Sequence, residues 1–255
     1  MTIHRRTFVH LAAGAAALPA FTGIARAQAP YPSRTARIVV GFPAGGATDI
    51  QARLMGEWLS EHLGQQFIVE NKPGASGNIG AEVAYRAEGD GHTLLCSPPG
   101  PLAINHNLYK TLPYDWSRFL PVTVLALSPN VITARADLPA KTAQELVAFA
   151  KANPGKVTYA SQGNGSTSHL TAEMFASQAG VKMLHVPYKG EGPALMDISA
   201  NRVDLFFGNI SAALRFQKSG QVKFLGVTSR ARSTVSPDTP DAAEIGLPDL
   251  IASAW

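Results

Sequence analysis

Short apolar runs alternate with amphipathic stretches along most of this chain, and nearly every junction carries glycine or small polar residues. Residues 36–40 are an apolar run that predicts a buried strand. Over 48–63 apolar residues recur at helical spacing. Ile50, Leu54 and Trp58 form one row and Met55, Leu59 and Leu63 the next, which predicts a wide core-facing stripe. Thr48 and Gln51 fit a T-x-x-Q capping box at the helix start, and Gly64 fits its stop. A strand at 67–70, a helix at 79–86 and a strand at 93–97 follow. This β-α-β-α-β order calls for a parallel sheet with right-handed crossovers.

Residues 98–115 are less regular, with a short helix expected near 102–108. Strands are expected at 122–127 and 131–134, where the chain crosses into a second lobe. That lobe repeats the alternation. A helix opens on Thr142 and Glu145 with Leu146, Phe149 and Ala150 on its apolar face. Strands are read at 157–160, 183–186, 203–207 and 224–228, with helices between them. The division predicted is a leader at 1–27, a first α/β lobe at 28–128, a second at 129–225, and a return to the first lobe over 226–255.

Three strand-to-helix junctions share one design: residues 42–48, 75–78 and 161–168. Each places glycines or hydroxyls where a helix begins, so that backbone N–H groups point forward at a possible anion. In open parallel sheets ligands bind outside the carboxyl ends of the strands. The candidate ligand-holding segments are therefore these three junctions, 42–48, 75–78 and 161–168. Glycine turns and helix caps explain the same residues structurally. Asp49 lies in a helix's first turn, where a carboxylate suits the macrodipole. It would repel a bound anion, so it is read as orienting the loop.

Charge narrows the partners. The formal net charge of +4 falls to +1 once Arg5, Arg6 and Arg26 are set aside, because residues 1–27 contain no acid. No basic stripe remains, which argues against nucleic acid. Arg5-Arg6 followed by an uncharged Ala-rich run and Ala25-Arg26-Ala27 read as a twin-arginine-like export signal cleaved near Ala27. Cys96, the single cysteine, falls in a strand and reads as core. Enzyme signatures are weak. G-x-S-x-G, G-x-x-x-x-G-K-[ST] and H-E-x-x-H patterns are missing, and residues 163–168 fall one glycine short of a dinucleotide loop. The seven histidines show no metal-ligand spacing, so no metal or cofactor is expected; His169 and Glu173 read as a surface pair.

Four segments carry a resemblance: Val40 through Asp49, reading VGFPAGGATD; Val69 through Gly80, reading VENKPGASGNIG; His185 through Gly190, reading HVPYKG; and Leu225 through Ser229, reading LGVTS, with Arg232-Ser233 following. With these, the chain resembles the Bug family of exported solute receptors, the substrate-binding components of tripartite tricarboxylate transporters. The resemblance implies a two-lobed α/β fold of the periplasmic binding protein type (type II), each lobe a mainly parallel sheet flanked by helices. It implies a small carboxylate held between lobes by main-chain groups and waters, with contacts from Pro43, Ala44, Gly45, Gly46, Ala47 and Thr48, from Ser76, Gly77 and Asn78, and from Gly163, Asn164, Gly165, Ser166, Thr167 and Ser168, and with Tyr188 and Asp204 near the cleft. It also implies a monomer in the periplasm that delivers its ligand to the transporter's membrane subunits. Chains of that family continue past the point matching Ile251–Trp255, so the first lobe is expected to be incomplete. Two other readings stay open: a periplasmic sensor presenting ligand to a signalling partner, and a hydrolase or lyase on a similar fold.

Overall fold

A computed structural model describes residues 30–255; the proposed leader lies outside the described residues. The first lobe opens with β1 (Ala36–Val40), α1 (Ala47–Leu63), β2 (Phe67–Asn71), α2 (Asn78–Tyr85) and β3 (Thr93–Cys96). Its three strands run parallel in the order β2-β1-β3, as the β-α-β-α-β pattern requires. A short α3 (Asn105–Leu108) follows a turn of π-helix at Gly100–Ile104.

The second lobe comprises β4 (Ser128–Arg135), α4 (Ala143–Ala152), β5 (Thr158–Ser161), α5 (Thr167–Ala179), β6 (Leu184–Pro187), α6 (Glu191–Ser199), β7 (Leu205–Asn209), α7 (Ile210–Lys218) and β8 (Val222–Val227). Its sheet order is β6-β5-β7-β4-β8, with β4 antiparallel to both neighbours. Two apolar clusters cover its faces: Leu146 of α4 and Phe175 of α5 pack on one, Leu195 and Ile198 of α6 with Phe216 of α7 on the other. This lobe therefore holds most of the core. The first lobe's cluster is small, built on Ile38, Val40, Phe42, Ala52 and Phe67.

Four readings need correction. The stripe Ile50-Leu54-Trp58 faces outward, with Leu54 62% exposed. Helix α1 instead rests on the sheet through Ala52 and Gly56; a Cβ on Gly56 would stand 2.9 Å from the Phe67 carbonyl oxygen. Backbone-close packing selects small residues here, and hydropathy alone does not report it. The Thr48–Gln51 capping box does not form: the helix begins at Ala47, Gly46 is its N-cap, and no local side chain caps it. Residues 122–127 are not a strand. Leu120, Val122, Val124 and Leu127 are exposed and lie outside any ladder among the described residues. Finally, residues 226–255 stay with the second lobe: Ile245 and Leu250 are buried in its core, and β9 (Ser253–Ala254) pairs with β4.

The junction of β1 with α2 admits no side chain. A Cβ on Gly80 would lie 2.5 Å from Gly41 Cα and one on Gly41 2.7 Å from the Gly77 carbonyl oxygen, all backbone atoms. Gly80→Ala is expected to lower stability by about 1–3 kcal/mol, the cost of overpacking a close contact. Urea unfolding of the two chains measures it; an unchanged midpoint would contradict this packing.

Candidate functional site

The loops that leave the carboxyl ends of β1 and β2 meet those that leave β5, β6 and β7. Ser76 Oγ donates to the Asn164 carbonyl at 2.8 Å, and Pro43 packs against Gly190. Between the loops lies a cavity of about 270 Å³. Its lining comes from Gly41 and Phe42, from Gly74, Ala75, Ser76 and Gly77, from Tyr109, and from Gln162, Gly163, Asn164, Pro187, Tyr188 and Lys189. A wider hollow of about 370 Å³ opens at the amino ends of β1 and β3. Its two arginines are already paired, Arg34 with Asp90 and Arg37 with Glu70, and it faces neither set of glycine loops. Ligands in open α/β sheets bind at carboxyl ends, so the smaller cavity is the candidate site.

Its backbone is unusual. Gly74, Ala75, Ser76 and Gly77 all have positive φ (135°, 46°, 53° and 90°). Ala75 and Ser76 hold a left-handed conformation that costs a non-glycine residue on the order of 1 kcal/mol each. Successive residues of this kind turn their N–H groups inward as an anion cradle. Among the described residues, the N–H groups of Ala75, Ser76, Asn164 and Lys189 have no intramolecular acceptor. Lys189 is also the one formally charged residue of the lining. The signal for it in the sequence is its place directly after Tyr188, in a loop leaving β6.

Other candidates serve the loops themselves. Asp49 accepts from the Gly45 N–H at 2.9 Å, from Asn71 Nδ2 at 2.9 Å and from both Arg53 Nε and Nη2. Burial alone raises its pKa, but these bonds outweigh it and hold the carboxyl below its ordinary value. Pro43, Ala44, Gly45, Gly46, Ala47 and Thr48 flank the cavity without lining it. Ser166 Oγ donates to the Gly163 carbonyl at 2.7 Å and Ser168 Oγ accepts from the Gln162 N–H at 2.9 Å, so both hydroxyls fold their own loop. Gly165 and Thr167 complete that turn behind the lining. Asn78 Oδ1 is buried against Asn105 and Tyr114. Tyr188 lines the cavity while its hydroxyl donates to Asp197 at 2.8 Å; burial first, and Asp197 next, push its pKa up to about 12.

Asp204 does not approach the cleft. It accepts from Arg135 Nε and from the Thr158 N–H and hydroxyl, each at 2.8 Å. Thr158 begins β5, so Asp204 stands at the amino edge of the sheet, opposite the loops. Nor are His169 and Glu173 a surface pair. The His169 ring stacks on His185 with centroids 4.0 Å apart, and Glu173 instead receives the Tyr159 hydroxyl. His169 Nδ1 accepts from the Gly165 N–H at 3.1 Å, and His185 Nε2 lies 2.6 Å from Ser161 Oγ. Ser161 and His185 have the spacing of a nucleophile and base. Ser161 is fully buried, however, and is absent from the cavity lining.

Two lobes, a cleft between carboxyl-end loops and a cradle of backbone donors define a two-lobed solute-binding protein. The chain belongs to the tripartite tricarboxylate transporter family of receptors, whose model matches residues 51–255. It is similar to the protein BugT of Bordetella pertussis, 37% identical over 227 residues, which are 88% of this chain and 70% of that one. Among solved structures, it is similar to Rpa4515 of R. palustris with adipate, at 37% identity and TM-score 0.86, covering 88% of this chain and 76% of that one. It is likewise similar to MatC of Rhodopseudomonas palustris with bound malate, at 33% identity and TM-score 0.83, covering 88% and 77%.

The stacked histidines make a pH prediction. Burial, then the neighbouring His169, lower the His185 pKa to about 4, with Glu173 opposing; burial lowers that of His169, again opposed by Glu173. An unfolded histidine titrates near ~6.5. The neutral pair is therefore stable above pH ~6.5, and its contribution is lost as pH falls towards about 4. After allowance for solvent screening, the loss attributable to His185 is about 1–2 kcal/mol. Urea unfolding at pH 7.5 and 4.5 should show a flatter profile for His185→Phe than for the parent; parallel profiles would contradict it.

Proposed function

We propose that this chain captures a small carboxylate in the cavity between its lobes and delivers it to the membrane subunits of a tripartite tricarboxylate transporter. The observation that carries the reading is the placing of Lys189 beside N–H groups without intramolecular acceptors around one open cleft. A cation and a backbone cradle suit a carboxylate, and the absence of acidic residues from the lining favours the charge. Ser76, Gly77, Gly163, Asn164, the Tyr188 main chain and Lys189 form the proposed contacts. Asp49 and the segment 43–48 shape the wall beside them.

The ligands of two relatives support the class: adipate with Rpa4515 and malate with MatC. A modest site built mainly of backbone donors suits capture and release, which a delivery role requires. The leader read at residues 1–27 supports a periplasmic location, and a monomer is the proposed working state.

Titration calorimetry against mono-, di- and tricarboxylates, adipate and malate included, tests this reading. At least one acid is expected to bind, and Lys189→Gln to weaken it about tenfold, as for one charge-assisted contact of ~1.4 kcal/mol. A folded chain that binds none of the panel would overturn the reading. Full affinity in Lys189→Gln would remove the lysine from the site.

A further inference from the structure

The most unusual buried group is Glu191, the first residue of α6. It is 5% exposed and forms no ion pair among the described residues. Its Oε1 accepts from Gln162 Nε2 at 2.5 Å, Asn209 N–H at 3.1 Å and Asn209 Nδ2 at 2.6 Å, all of the second lobe. Its Oε2 accepts from the Ala47 N–H at 3.0 Å, in the first lobe and 144 residues away in sequence. That N–H is the first of α1, the donor that no local side chain caps.

We propose that Glu191 is a latch between the lobes: a carboxylate fixed in the second lobe that docks on the N-terminus of α1 and holds the cleft closed before any ligand arrives. Three donors of its own lobe set its position, so it is pre-organised when the lobes part. The fourth donor forms only when they meet. The carboxyl group lies at the start of two helices, α1 and α6; burial raises its pKa, and the hydrogen bonds from Ala47, Asn209 and Gln162 together with the helix dipoles oppose that rise. Asp49, the nearest competing carboxylate on α1, is held by Arg53 and Asn71 and does not take this position. Ala47 also belongs to the second lobe's apolar cluster, so the same contact buries its side chain across the cleft. The first N–H of α1 is therefore taken by the protein, and the ligand reading assigns a bound anion to the cradle at 74–77 and to Lys189.

This inference rests on reading the cleft as the ligand site, but its test does not need the ligand. Ala47→Pro removes the latch's first-lobe donor and leaves Glu191 intact. Proline is well tolerated at the first position of a helix, and Gly46, at φ −84° and ψ 169°, already has the extended backbone that precedes proline. Glu191→Gln makes the complementary change from the other lobe. Small-angle scattering of the ligand-free full chain is the readout, with the melting temperature recorded alongside. Both variants are expected to enlarge the radius of gyration by a few per cent of the ~18 Å typical of this chain length, with a cooperative melt showing that each chain remains folded. In titrations with adipate and malate, any affinity the parent shows is expected to change at least fivefold. Ligand-free scattering of Ala47→Pro that overlays the parent would overturn the latch, even where binding persists. If no chain binds either acid while the scattering difference remains, the latch stands and the ligand reading fails.

Discussion

A helix that starts at the carboxyl end of a strand leaves backbone N–H groups without partners, and two lobes that meet at such ends must satisfy them across a shared cleft. This requirement organises the molecule. Some donors are met within a loop: Asp49 takes the Gly45 N–H, Ser168 that of Gln162, and His169 that of Gly165. One is met across the cleft, where Glu191 takes that of Ala47. Others, those at Ala75, Ser76, Asn164 and Lys189 among them, border the cavity.

The two lobes contribute unequally. The second carries a sheet covered on both faces and holds the large buried side chains, among them Tyr159, Phe175, Phe206 and Phe207. The first has a three-stranded sheet and a small cluster, and leaves Ile50, Leu54 and Trp58 of α1 exposed. A rigid second lobe is thus the natural frame for the groups that must keep their geometry: the loop at 161–168, Lys189 and Glu191. The strained turn at 74–77 gains its support from packing against Phe42 and Pro101, which leave no room for a side chain on Gly77.

Much of the fold was legible because period and punctuation agree. The strand at 36–40 and the stop at Gly64 fall where the apolar run and the glycine place them. The two-lobed α/β architecture follows from repeated strand–loop–helix units. The failures share a physical cause: they depend on contacts distant in sequence. Ala52 and Gly56, not Leu54 and Trp58, face the sheet because backbone approach matters more there than apolar area. The capping box at Thr48 lost to a carboxylate from another lobe. The resemblance implied Asp204 near the cleft, but it directly precedes β7, and strand direction puts it at the opposite edge. At the candidate site, the loops were visible as glycine and hydroxyl runs. Lys189 and Glu191 were not, since a single charge beside a turn usually marks nothing more than solvent.

Hydrogen–deuterium exchange on the full chain, with and without the best-binding carboxylate, addresses most directly whether the ligand lies between the lobes. Protection should appear together in 74–78, 162–165 and 187–189, segments that belong to different lobes and share only the cavity. Protection confined to residues 34–37 and 87–93, or to one lobe alone, would contradict the account.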